Sequence, residues 1–146
     1  SRNVKPLDKR LVAKVTGAKN GTPNRTDMIS SVKHGLKFAV VAQLEEALDA
    51  TQKELSELLC IPVSTLRRRK DEGRLQPDES DRVVRFAQLK DAAVELMQGD
   101  DKAAVAWLRS PLPILGSESP LQHAMTELGA RDVDDLILRL KHGVFS

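Results

Sequence analysis

The 146-residue chain has no tyrosine, one tryptophan (Trp107), three phenylalanines (Phe38, Phe86 and Phe145) and a single cysteine, Cys60. With so few rings it lacks the material of an aromatic-rich β-sandwich and the platforms on which RNA bases stack. One cysteine excludes an internal disulfide framework and a cysteine-based zinc site. No apolar run reaches the ~18 residues of a membrane-spanning helix, and the first residues lack the short apolar stretch of a secretory signal. A soluble, cytoplasmic protein is expected, with no membrane partner. The histidines, His34, His123 and His142, form no pair at metal-ligand spacing, and Ser117 and Ser119 lie in no nucleophile elbow. Gly116 begins no phosphate-cradling glycine repeat. The expectation is therefore no enzyme, no metal, no cofactor and no small-molecule substrate.

What is present is a chain 40% apolar and 30% charged, rich enough in Leu, Val, Ile and Ala to fold. Its net charge of +2 conceals a gradient. Residues 1–50 carry +4, residues 51–76 carry +2, and residues 77–146 carry −4. A basic front suits nucleic acid, and an acidic back suggests a second task.

The apolar spacing is helical throughout, with no convincing two-residue alternation, so the fold class is all-α. Residues 1–25 read as a flexible arm, in which Val4, Leu7, Leu11, Val12 and Val15 can form one weak helical turn or two on a partner. Thr26 or Asp27 is expected to cap a short helix ended by Gly35. A second helix spans Leu36 to about Asp49, a third Gln52 to Leu59, and a fourth Thr65 to Glu72, capped by Ser64 and closed by Gly73. Asp81 to Gln98 is the longest. Ala103 to Leu108 is a helix stopped by Pro111 and Pro113, and Ser119-Pro120 opens another, ended by Gly129. Asp132 begins the last, ended by Gly143. His34 and His142 precede glycines at helix ends, where a cation complements the dipole. The organisation is an arm (1–25), an N-terminal helix-turn-helix bundle (26–98) and a small helical C-terminal domain (99–146).

Gln52 to Lys70 resembles a helix-turn-helix. Leu55 and Leu58 supply the inner face of its first helix, Ile61 plugs the corner, Leu66 buries the second helix, and Ser56 lets the two approach. Cys60 replaces the usual turn glycine, so it bears a modest strain or the turn is built differently. It is expected at a buried turn, as a small apolar filler. On the second helix Ser64, Thr65, Arg67 and Arg68 face away from Leu66, where base edges are read. Arg69, Lys70 and Arg74 are placed for phosphates, with Gln52 and Lys53 adding backbone contacts at the preceding helix start. A homodimer on a two-fold operator is expected, because one helix reads too few bases. The residues alone also fit a stand-alone regulator whose C-terminal helices dimerise or bind an effector, or a module whose basic helix meets an acidic protein.

The C-terminal stretch has a pattern of its own: Ala-Trp-Leu-Arg-Ser-Pro-Leu-Pro-Ile-Leu-Gly at 106–116, Ser-Pro-Leu at 119–121, Glu-Leu-Gly-Ala at 127–130 and Lys-His-Gly-Val at 141–144. Following Thr-Leu-Arg-Arg-Arg at 65–69, this order resembles the Xre/MbcA/ParS family of type II antitoxins over residues 27–146. The resemblance implies an Xre-like DNA-binding domain and a toxin-binding domain. It also implies a RES-type toxin partner that consumes NAD or transfers ADP-ribose, neutralised by occlusion of its active site, and repression of the shared operon. The end of the chain then suggests a plug. Val144, Phe145 and Ser146 form an apolar, carboxylate-ended tip flanked by Lys141 and His142. The alternative is a toxin gripping the outer faces of the last two helices.

Overall fold

The computed structural model describes residues 10–18 and 23–143. They form α1 (Leu11–Thr16), α2 (Arg25–His34), α3 (Val40–Leu48), α4 (Gln52–Leu59), α5 (Val63–Glu72), α6 (Pro77–Leu96) and α7 (Asp101–Leu108). A 3-10 turn (Pro113–Leu115), α8 (Pro120–His123) and α9 (Glu127–Lys141) complete the chain. Among the described residues there is no strand, only the isolated bridges Lys37–Arg74 and Leu112–Glu118. The molecule is all-α.

The spine is α6. Pro77 at its first turn and reciprocal capping between Gln76 and Glu79 start it. It buries Val83, Val84, Phe86, Ala87, Leu89 and Ala93, and α1, α2, α3, α4, α7 and α9 all pack on it. One continuous core therefore runs from the helix-turn-helix to the last helix.

The first correction concerns the arm. Leu11, Val12, Ala13 and Val15 are buried in α1, which lies on α6 rather than waiting for a partner. The Asp91 carboxylate accepts the Leu11 and Val12 backbone N–H groups at 2.8 and 2.9 Å, satisfying two of the donors that a helix start leaves open. Burial raises the Asp91 carboxyl above its ordinary range, and these two N–H groups oppose the shift. Residues 1–9 and 19–22 lie outside the described residues.

Several boundaries move for local reasons. Asn24, not Thr26 or Asp27, caps α2, its side chain accepting from the Asp27 N–H at 2.7 Å. Leu36 precedes α3, because its N–H donates to Ser80 Oγ and its carbonyl accepts from the Leu75 N–H, each at 2.9 Å. This crossing requires Gly35, which has φ 91° and whose missing Cβ would fall 2.4 Å from the Leu75 carbonyl oxygen. Helix α5 begins at Val63 after Pro62, leaving Ser64 inside the helix rather than at its cap. The longest helix begins at Pro77, four residues before the expected Asp81.

The largest shift is at Gly129. It was expected to end a helix, yet it sits in the first turn of α9, capped by Thr126, whose hydroxyl accepts the Gly129 N–H at 2.9 Å. A Cβ here would lie 1.7 Å from the His123 carbonyl oxygen. Glycine is required for close packing of α8 against α9, so α9 starts at Glu127 and not at Asp132.

Candidate nucleic-acid interface and C-terminal face

Thr51 and Glu54 cap α4 reciprocally, so its start is fixed by its own side chains. Leu55 and Leu59 are fully buried and Leu58 nearly so. At the corner Cys60 takes φ 56°, the left-handed conformation, and its thiol residue is exposed, not buried as expected. Strain is thus accepted at that residue, at a cost on the order of 1 kcal/mol. Ile61 is 1% exposed, and the Ser56 hydroxyl donates to its carbonyl at 2.5 Å. Ser56 is therefore a fastener of the turn as well as a small residue.

Helix α5 is held by fully buried Leu66 and by one of its arginines. Arg69 donates from Nε to Glu79 Oε1 at 2.8 Å and from Nη1 to Glu72 Oε1 at 3.2 Å, with its side chain 12% exposed. Glu79 Oε1 also accepts the Gln76 N–H at 2.7 Å. The Glu79 carboxylate, then Glu72, hold the Arg69 guanidinium firmly charged. Sequence places Arg69 for phosphates; the fold also engages it with Glu79 and Glu72, which locks the end of α5 to the start of α6. Arg74 likewise donates to the Gly35 carbonyl at 2.7 Å.

Ser64, Arg67, Arg68 and Lys70 remain exposed on α5, and Thr65 is half-buried. Gln52 and Lys53 are exposed at the start of α4. Among the described residues, Arg67, Arg68, Lys70 and Lys53 make no ion pair. The surface thus holds uncommitted cations at three places on α5 and at Lys53 on α4.

A link that sequence reasoning missed crosses the molecule. Arg109, at the end of α7, donates to Glu54 Oε2 at 2.6 Å and to the Leu48 carbonyl at 3.2 Å. The Arg109 bond, followed by the Thr51 N–H, holds the Glu54 carboxyl below its usual range. Only the capping half of this arrangement, Thr51 three residues before Glu54, carries a local signal in sequence.

Several charged side chains of α6, α8 and α9 are mutually engaged. His123 lies between Glu118 Oε1 (2.8 Å from Nδ1) and Asp132 Oδ2 (3.0 Å from Nε2). Asp132 and then Glu118 raise its affinity for a proton, against a desolvation that lowers it. Arg85 donates to the Ala124 and Met125 carbonyls at 3.4 and 3.2 Å. Buried Lys90 joins Asp101 and the Ala47 carbonyl, each at 2.8 Å. Lys141 bonds Glu95, which also meets Arg10 at 3.2 Å, and Lys141, then Arg10, keep the Glu95 carboxyl below its usual value. His142 is the exposed C-cap of α9. Val144, Phe145 and Ser146 lie outside the described residues. Large apolar side chains stand exposed at Ile114, Leu128 and Leu138.

No helix of the described residues is long and apolar enough to cross a membrane, and none of their His, Cys, Asp and Glu side chains cluster to hold a metal ion.

The family description "Antitoxin Xre-like helix-turn-helix domain" matches residues 27–88, and "Antitoxin Xre/MbcA/ParS C-terminal toxin-binding domain" matches residues 92–143. An Antitoxin Xre of Yersinia enterocolitica is 40% identical over 122 residues, covering 83% of this chain and 82% of the relative. Another, of Photorhabdus laumondii, is 32% identical over 79% of this chain and 78% of its own length. A protein of a Sphingobium species named Prs ADP-ribosylating antitoxin is 27% identical over 82% of this chain and 81% of its own. The capped corner, the free arginines and the helical C-terminal half thus belong to a chain of the Xre antitoxin family, with an Xre-like helix-turn-helix joined to a toxin-binding domain.

Proposed function

We propose that this antitoxin neutralises a RES-type toxin by occluding its active site and, as a cytoplasmic homodimer on a two-fold operator, represses the operon that encodes both. It acts by binding and not as an enzyme. The observation that carries the DNA half is the division of labour on α5: Arg69 is locked against Glu79, while Arg67 and Arg68 are exposed and unpaired. A guanidinium that bridges the two acceptors of guanine contributes about 1–3 kcal/mol of discrimination. Ser64 and Thr65 lie one turn earlier for base edges or phosphates, and Lys70, Gln52 and Lys53 supply phosphate contacts.

For the toxin, the name of the Sphingobium relative joins an antitoxin to ADP-ribosylation, which supports a partner of that chemistry. The proposed plug is Val144, Phe145 and Ser146, with Lys141 and His142 guiding its approach. The apolar side chain of Phe145 suits a concave pocket that otherwise holds a dinucleotide. Full burial of Phe145 contributes about 1.5–3 kcal/mol.

Co-expression with a RES toxin tests both halves together. Deleting residues 144–146 should abolish protection while operator binding and melting temperature stay at wild-type values. The Arg67→Ala/Arg68→Ala variant should keep protection and lose repression. Full protection by the truncated chain removes the plug, and wild-type operator affinity in the arginine variant removes the assignment of α5.

A further inference from the structure

The outer face of α9 has an order that its own core does not need. Val133, Leu136 and Ile137 face inward. On the opposite side, Leu128, Arg131, Asp135, Leu138 and His142 follow at spacings of three, four, three and four, a continuous stripe along the helix. Leu128 is 77% exposed and Leu138 51%. Arg131 is 70% exposed and meets only Glu127, at 3.3 Å on its own helix. Among the described residues, nothing covers these two leucines, which stand beside solvent-facing charges.

The stripe is complementary to itself when reversed. A two-fold axis at the level of Val133 sets Leu128 of one copy beside Leu138 of the other. The same axis sets Arg131 beside Asp135. Both pairs occur twice, giving four layers: leucine with leucine, cation with anion, anion with cation, leucine with leucine. A parallel pairing instead stacks Arg131 on Arg131 and Asp135 on Asp135, which like-charge repulsion disfavours. We propose that this face of α9 is the docking surface for a second copy of this chain, with the two helices antiparallel. The inference rests on the α9 stripe and not on the operator reading. Its failure leaves the α5 assignment intact, because it is measured on the protein alone.

Cysteine pairing reads the geometry directly. In a Cys60→Ser background, Leu128 and Leu138 are each replaced by cysteine, singly and together. The antiparallel pairing puts position 128 beside position 138 of the partner. It separates two copies of position 128 by ten residues, about 15 Å along the axis, well beyond the ~7 Å reach of a disulfide. The double variant should therefore cross-link into dimers under mild oxidation and each single variant should not. Charge exchange is the second measurement. Arg131→Asp alone should raise the dimer dissociation constant at least tenfold in sedimentation equilibrium, and Arg131→Asp/Asp135→Arg should return it to near the wild-type value. All these positions are exposed, so circular dichroism should show wild-type helicity. Cross-linking of the single variants, no cross-linking of the double variant, or no rescue by the exchange would each overturn the proposal. So would a Leu128→Asp variant that loses toxin capture while dimerising normally, since the stripe would then belong to the toxin.

Discussion

Helix α5 and the contacts that α6 makes with α7, α8 and α9 handle charge in different ways. On α5, Leu66 is buried and Arg69 is committed to Glu79 and Glu72, while Arg67, Arg68 and Lys70 make no ion pair among the described residues. Where α6 meets α7, α8 and α9, His123, Arg85, Lys90 and Lys141 hold the structure together through Glu118, Asp132, main-chain carbonyls, Asp101 and Glu95. The lesson is that neighbouring charges of one type can hold quite different places in a fold. Arg67, Arg68 and Arg69 are adjacent in sequence and differ only in what surrounds them.

The sharpest way to break this contrast is to treat those arginines alike. Arg69→Ala leaves the Glu79 carboxylate, whose side chain is 7% exposed, without its cation. Such a loss costs about 3 kcal/mol or more of stability, to be read by urea denaturation. Arg67→Ala or Arg68→Ala should change stability by less than about 0.5 kcal/mol, with the effect appearing in operator affinity. Equal melting of all three variants would erase the distinction.

A somewhat smaller loss probes the uncharged packing of the C-terminal half. Gly129→Ala forces a methyl group toward the His123 carbonyl, and overpacking of this kind costs about 1–3 kcal/mol. Denaturant unfolding should show a lower midpoint, and toxin binding should weaken before operator binding does. An unchanged midpoint would mean that α8 and α9 separate freely.

The smallest effect is that of pH. His123 has a raised pKa in the folded protein, so its contribution is complete below the unfolded value of about 6.5 and is lost as pH rises through the folded value. Glu118 and Asp132 are largely exposed, which limits the contribution to about 0.5–1 kcal/mol. The wild type should lose that much stability relative to His123→Gln as pH rises from about 6.5 through the raised folded value. Parallel pH profiles for the two proteins would show that the imidazolium is not a fastener.

The corner of the helix-turn-helix was legible because its signals are local: Leu55, Leu58, Ile61 and Leu66 lie within twelve residues, and each is buried. So was the Ser119-Pro120 start of α8, whose cap accepts from three residues away. What was hidden depended on partners far along the chain. Helix α1 looks weak because the carboxylate that completes it, Asp91, is 80 residues away from Leu11. Arg69 looks like its neighbours until the fold brings Glu79 beside it. Gly129 carries the signature of a helix stop, and only the approach of His123 shows that it marks a contact. For the site, sequence identifies which residue types face outward on α5, but it does not distinguish paired cations from free ones.

The position of α6 has a consequence for how such antitoxins diversify. The stretches matched to the two family descriptions end at residue 88 and begin at residue 92, inside this single 20-residue helix. A recombination event there would place Phe86 and Ala87 from one parent on the same rod as Leu89 and Ala93 from the other. Two cores that evolved apart would then have to fit at once. Exchange in the turns that flank the helix, at 73–76 or 97–100, transfers the rod whole. Swapping toxin specificity onto a new DNA reader is therefore easiest when the crossover avoids the very segment where the two modules meet.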